Sequence, residues 1–416
     1  MFLSRFRPWR NIQPRKDVGR LNCMFIVTSM PVGGAETLLV NMMRRMDSDR
    51  FKPELVCTKD PGPLGLELSS EFRVHSNILA SKFDPRGLPR LVRLMIKRRT
   101  DVVITVNAGD NMFWGRMAAH VAGVPAIAAA LHSTGWPDGV GRMNRWLTGM
   151  TDAFIGVADS HGNFLRDIEK FPAEKVNVIR NGIDCDRFQP DPEAAKSVRE
   201  ELNLPADTPL VGIVAALRSE KNHTMLVRAA AKVRDEHPNA HWIIVGDGPE
   251  RPAIEAAAAE LNMTDRIHLL GTRSDTPRLV AALDVFTLCS LNEASPVSIL
   301  EALSCEVPVM ATNVGSIGES IVEGVTGHMI ESEDTDAMAK SVCGLLADPD
   351  RRRKYGKAGR ELVLKTGSLQ SMVAGYEALA TQLYDAQVQA YANRYARKSP
   401  QKARIGRTMH ASELKK

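Results

Sequence analysis

Along this chain, short uninterrupted apolar runs alternate with longer stretches in which apolar residues return every three to four positions. The first run, NCMFIVTSM, leads through PVGGAE into TLLVNMMRRM, where Leu38, Leu39, Met42, Met43 and Met46 share one helical face. The pattern predicts strand, glycine loop, helix. It returns through PELVCTK, LPRLVRLMIKRRT, DVVITVNA, NMFWGRMAAHVAG, VPAIAAALH and TDAFIGVADSHGNFLRDI. A second series begins at PLVGIVAALR and continues through HTMLVRAAAKVRDEH, HWIIVGDG, PERPAIEAAAAELN, RIHLLGT, TPRLVAAL and DVFTLCS. Strands alternating with helices imply parallel sheets with helices on both faces.

Between the two series lies VNVIRNGIDCDRFQPDPEAAK, punctuated by Asn181-Gly182 and Pro190-Asp191-Pro192. The chain of 416 residues is long for one domain. The expected organisation is a Rossmann-like domain over 21–184, a second over 185–370, a long polar helix over 371–395, and basic tails at 1–20 and 396–416.

Composition narrows the class. With 44% hydrophobic and 25% charged residues, both domains can carry cores. The six cysteines, Cys23, Cys57, Cys185, Cys289, Cys305 and Cys343, form no C-x-x-C pair and read as reduced thiols of a cytoplasmic protein. The most apolar segment, 117–131, is broken by His120 and Pro125, so no membrane span is expected, and the first twenty residues lack the apolar core of a secretory signal. Charge is uneven: residues 1–20 carry +5 and residues 394–416 carry +7 of a total of +5, which leaves the body at −7. Such tails either stay solvated or meet anionic surfaces, and Phe2, Leu3, Phe6 and Trp9 between Arg5, Arg7 and Arg10 suit the headgroup boundary of a membrane. The helix at 88–99 bears Arg90, Arg93, Lys97, Arg98 and Arg99, and its basic positions read as a solvated face.

The strongest chemical signal is a pair of glutamates, Glu293 and Glu301, in SLNEASPVSILEALSCEVPVMATNVGSIGE, where an apolar strand hands over to an apolar helix. At the carboxyl end of a strand both side chains can face a polar ligand across a crevice; ordinary first-turn glutamates are the plainer alternative. The segment resembles the E-x7-E signature of glycosyltransferase family 4, a retaining group with the GT-B fold. Pro296, Leu300, Glu301, Ala302, Pro308 and Val309 fit the family's pattern, while Ala294 and Ser295 stand where Gly-Phe is usual and Cys305-Glu306 fill the Ala-Gly region.

The resemblance covers roughly residues 22–390. It implies two Rossmann-like domains facing a central cleft, with the terminal helix crossing back to the first. It implies transfer of a sugar from a nucleotide-sugar donor to a saccharide or lipid-linked acceptor in cell-surface polysaccharide or glycolipid synthesis. Neither a cofactor nor a metal is expected, and nucleic acid is not an expected partner. Peripheral contact with the inner face of the membrane would come through the basic tails.

Individual residues take roles from the same match. Gly33 and Gly34, after the first strand, let a backbone approach a phosphate at a helix amino end. Lys221 matches the family's lysine, whose charge stabilises a leaving diphosphate. The family's arginine falls on Ala216, and Arg218 stands two residues later as its displaced substitute. Glu301 would accept hydrogen bonds from ribose hydroxyls, Glu293 would contact the transferred sugar, and the backbone of Val297 and Ser298 would hold the diphosphate. Gly246-Asp247-Gly248 forms a strand-end turn expected to line the nucleotide, and it fails as a dinucleotide fingerprint because Pro249 and Glu250 follow. His132, at a strand end, is a candidate on the acceptor side or a structural histidine. Asp184-Cys185-Asp186 reads as turn chemistry rather than a metal site. A non-catalytic GT-B scaffold and a sugar-nucleotide epimerase of the same fold remain alternatives.

Overall fold

The computed structural model of this chain describes residues 19–81, 84–107, 109–132 and 140–398, so both basic tails lie almost wholly outside the described residues. Strands β1 (Leu21–Val27), β2 (Phe51–Cys57), β3 (Arg73–His75), β4 (Val102–Val106), β5 (Ala126–Ala130), β6 (Ala153–Gly156) and β7 (Val176–Val178) form one parallel sheet in the order β3-β2-β1-β4-β5-β6-β7. Helices α1 (Gly34–Arg45), α2 (Gly62–Leu68), α3 (Gly87–Arg98), α4 (Asp110–Ala122), α5 (Val140–Trp146) and α6 (Asp159–Asp167) connect them. A second parallel sheet, in the order β10-β9-β8-β11-β12-β13, is built from β8 (Leu210–Val214), β9 (His241–Val245), β10 (Ile267–Gly271), β11 (Val285–Leu288), β12 (Val309–Thr312) and β13 (Gly327–Ile330). Its helices are α7 (Pro192–Glu201), α8 (His223–Glu236), α9 (Arg251–Glu260), α10 (Thr276–Ala281), α11 (Val297–Ser304), α12 (Thr335–Leu346) and α13 (Pro349–Thr366). The two-domain α/β expectation of a GT-B fold is what the chain adopts. Every residue of β4 and β5 is buried, because helices cover both faces of a parallel sheet; that is why these strands are continuous apolar runs in the sequence.

Two chain segments cross between the domains side by side. The N–H of Ile183 donates to the carbonyl of Gly367 at 2.9 Å, and the N–H of Leu369 donates to the carbonyl of Ile183 at 2.8 Å. Gly182 is required there, since a Cβ would sit 2.1 Å from the Ser368 carbonyl oxygen. Helix α14 (Leu369–Lys398) then returns to the first domain. Its Met372, Val373, Tyr376, Leu379, Ala380 and Tyr384 are buried in the core beneath β1, β2 and β4, and Glu377 accepts a hydrogen bond from the N–H of Asp47 at 2.7 Å.

The structure corrects the basic helix. The guanidinium of Arg98 turns inward, its Nε 2.9 Å from both carboxylate oxygens of Glu54, which is only 4% exposed. Burial alone would raise the Glu54 carboxyl, but hydrogen bonds from His75 and Arg98 overcome it and hold the group at about 2. Arg98 therefore anchors α3 to the sheet instead of facing solvent. The sequence pattern also gave no sign of α2, β3 or β13, which are short and partly polar. All six cysteines are free and five are buried. Among the described residues no helix is long and apolar enough to cross a membrane.

Candidate functional site

Each sheet reverses its strand order once, between β1 and β4 in the first and between β8 and β11 in the second. At such a point the loops leaving two neighbouring strands diverge to opposite faces and leave a crevice at their carboxyl ends, where open α/β sheets bind ligands. The loops after β8 and β11 carry Arg218, Lys221 and Glu293, and the loop after β1 carries Gly33 and Gly34.

In the second domain, Lys221 Nζ lies 2.5 Å from Glu293 Oε1, and the Ser290 hydroxyl donates to the same oxygen at 2.6 Å. Glu293 is only 8% exposed, so this pairing is what lets a carboxylate sit there. The loop is held from behind. Thr312 Oγ1 donates to the Ser290 carbonyl at 2.6 Å, Ser316 Oγ to that of Ala294 at 2.5 Å, and the N–H of Ser316 to that of Glu293 at 3.2 Å. Gly315, at φ +58°, packs so closely that a Cβ would fall 1.8 Å from the Glu293 carbonyl oxygen.

Glu301 is the contrary case. It sits in α11, part-buried, with no hydrogen-bond or ion-pair partner among the described residues. Burial pushes its carboxyl up to about 7, against the opposing pull of Arg187. A part-buried carboxylate with no protein partner is poised to accept hydrogen bonds from a ligand. Val297 and Ser298 open α11, whose amino end no side chain caps.

The first domain meets this surface. Val297 Cγ2 lies 3.9 Å from the place a Gly34 Cβ would occupy, so the Gly33-Gly34 loop and the amino end of α11 touch across the cleft. Glu36, in the first turn of α1, accepts a hydrogen bond from Asn107 Nδ2 at 3.0 Å. Burial raises its carboxyl, while its own backbone N–H, the charge of Arg218 in the other domain and Asn107 pull the other way. Arg218 is otherwise exposed, 3.9 Å from Glu220, and has no buried partner among the described residues. His132 ends the run after β5, and burial, with the neighbouring His161, lowers it to about 4, which leaves a neutral ring at physiological pH.

The Gly246-Asp247 turn packs against the loop after β8. A Cβ on Gly246, at φ +139°, would lie 2.0 Å from the Ala215 carbonyl oxygen, and the N–H of Leu217 bonds the Asp247 carbonyl at 3.1 Å. That turn buttresses the segment leading to Arg218, while the Asp247 carboxylate accepts from Gly248 N–H at 2.8 Å and Arg251 Nε at 3.2 Å. Asp184 does turn chemistry, accepting from the N–H groups of Asp186 and Arg187 at 3.1 and 3.2 Å. No group of three or more metal-ligating side chains occurs among the described residues. Sequence reasoning missed Ser290, Arg187, Gly315 and Glu319. Only Gly315, a glycine three residues beyond a strand, carried a signal.

Two family models match the chain: "Glycosyltransferase Family 4" over residues 32–187 and "Glycosyl transferases group 1" over residues 195–362. Among curated proteins, the chain is 28% identical to the putative glycosyltransferase EpsF of Bacillus subtilis, over 80% of this chain and 90% of that protein. It is 27% identical to the UDP-Gal:alpha-D-GlcNAc-diphosphoundecaprenol alpha-1,3-galactosyltransferase of Escherichia coli, over 77% of this chain and 87% of that one. Among solved structures, Anabaena HepE in complex with UDP and glucose superposes with a TM-score of 0.76 at 20% identity, covering 87% of this chain and all of that one. WaaG, a glycosyltransferase of lipopolysaccharide biosynthesis, gives 0.68 at 15% identity with the same coverage.

Proposed function

This chain belongs to glycosyltransferase family 4 among the group 1 glycosyl transferases, and from that premise we propose that it transfers a sugar, with retention, from a nucleoside-diphosphate donor to a lipid-linked or saccharide acceptor in cell-surface polysaccharide synthesis. One observation carries the reading: the uncapped amino end of α11 lies against Gly34 of the first domain, and the loop after β8 supplies Lys221, bonded to Glu293, and Arg218, whose charge reaches Glu36. Fixed positive charge and backbone N–H groups gathered there suit a diphosphate, whose negative charge grows as the glycosidic bond breaks. In this reading these groups do the work without a bound metal. Glu301, part-buried and without a protein partner, accepts hydrogen bonds from the ribose. Glu293, held by Lys221 and Ser290, faces the sugar, and His132 contributes a neutral imidazole on the acceptor side.

The relatives' names support the setting: one acts on a diphosphoundecaprenol-linked sugar. Retention needs no separate base, because the departing phosphate oxygen can take the acceptor proton. A thermal-shift panel of UDP-, GDP- and ADP-sugars tests the donor class, since a ligand that binds only the folded state raises its melting point. Stabilisation by at least one, with sugar release or transfer in its presence, is expected. Absence of any shift would argue for a non-catalytic scaffold, and isomerised donor without acceptor for an epimerase.

A further inference from the structure

Glu319 belongs to one domain but completes a helix of the other. It ends the short turn Ile317–Glu319 beyond β12. Its Oε2 accepts from the N–H of Asp159 at 2.7 Å and its Oε1 from the N–H of Ser160 at 2.6 Å. These are the first two residues of α6, and Ala158, which precedes them, offers no side-chain cap. Backbone donors at a helix start need an acceptor and favour a negative one. Here the opposite domain supplies it. Arg180 pairs with the Asp159 carboxylate beside this contact, and Asn181 Nδ2 donates to the Ser295 carbonyl at 3.3 Å, a second bond between the domains.

The segment that carries Glu319 also carries Gly315 and Ser316, which grip the backbone of Glu293 and Ala294. One short piece of chain thus holds the donor-side loop at one end and the other domain at its other end. We propose that Glu319 is a positioning residue, a latch through which closure of the two domains sets the Glu293 loop. The contact is exposed and built from two hydrogen bonds to a solvated carboxylate, so it is weak enough to open and close during turnover. Its kinetic consequence rests on the function proposed above; the latch itself does not.

Three variants test it. E319A removes the acceptor. D159P removes one donor from the other side, at a first-turn position that tolerates proline after an already extended Ala158 (φ −156°, ψ 163°). D159A keeps that N–H and serves as the control for losing the pair with Arg180. Small-angle scattering of the ligand-free proteins should show E319A and D159P expanded relative to wild type, from a shift of roughly tenfold in the closing equilibrium, the worth of one hydrogen bond to a charged group. D159A should stay near wild type, and E319A/D159P should be no more expanded than either parent. In turnover of whichever UDP-, GDP- or ADP-sugar the wild type uses, E319A should raise KM several-fold and leave kcat within about twofold, because saturating donor restores closure. Unchanged scattering in both E319A and D159P would overturn the latch. Expansion with unaltered KM would overturn its link to the donor loop. A wild type that turns over no nucleotide sugar would remove the proposed function and leave the scattering result to stand alone.

Discussion

The two glutamates that dominate the sequence lie eight positions apart, yet their surroundings are opposite. Glu293 sits in a loop braced by Thr312, Gly315 and Ser316 and is neutralised by Lys221 and Ser290. Glu301 sits on α11, part-buried and without a hydrogen-bond or ion-pair partner among the described residues, and burial raises its carboxyl. Equal spacing in a motif therefore does not mean equal chemistry. The paired acid is satisfied within the fold, whereas the unpaired one has hydrogen-bonding capacity that the fold leaves open.

The largest break in that comparison is K221A. It removes the cation proposed for the leaving diphosphate and strands Glu293 in a buried place. Turnover should fall by about 10²–10³-fold and stability by about 3 kcal/mol. Denaturant unfolding of K221M/E293Q should recover most of that stability, while activity stays lost. If K221A melts like wild type, the pair is not what holds the loop.

E301Q should act the other way round. Donor affinity should fall by roughly 10–100-fold, the worth of hydrogen bonds to a charged acceptor, while the fold is unharmed or stabilised. The sign with pH follows from the raised carboxyl. A group held near 7 in the folded chain and near 4.5 when unfolded contributes stability that is complete below about 4.5 and is lost as pH rises through 7. The melting point of E301Q relative to wild type should therefore climb between pH 5 and pH 8. A flat difference across that range would place Glu301 in water rather than in a desolvated site.

R218A should be the mildest. Arg218 has only a distant partner in Glu220 and acts on the cleft through charge, so a loss of donor turnover below about tenfold is expected. A loss as large as that of K221A would instead make it a full replacement for the arginine that Ala216 displaces. The same assay at low and high salt separates the two, because only an exposed charge is strongly screened.

Much of this arrangement was legible beforehand, and for identifiable reasons. Parallel strands covered on both faces must be apolar throughout, so β1, β4, β8 and β11 announce themselves, and the loops after them fall at the crevices by topology alone. What escaped were contacts between segments far apart in the chain. The inward turn of Arg98 onto Glu54 spans 44 positions, and the reach of Glu319 to Asp159 spans 160. Neither has a local pattern, because a cationic or acidic side chain reads the same whether its partner is water or a distant backbone. Gly246 adds a packing reason that no local pattern shows: its backbone lies too close to the Ala215 carbonyl for a Cβ.

The central claim is that Glu301 binds the ribose of a nucleotide donor. Calorimetry of wild type and E301Q with the preferred nucleoside diphosphate and its 2′-deoxy analogue tests it most directly. Wild type should favour the ribonucleotide by about tenfold or more, and E301Q should bind the two alike. Equal binding of both by wild type, or discrimination undiminished in E301Q, would contradict the account.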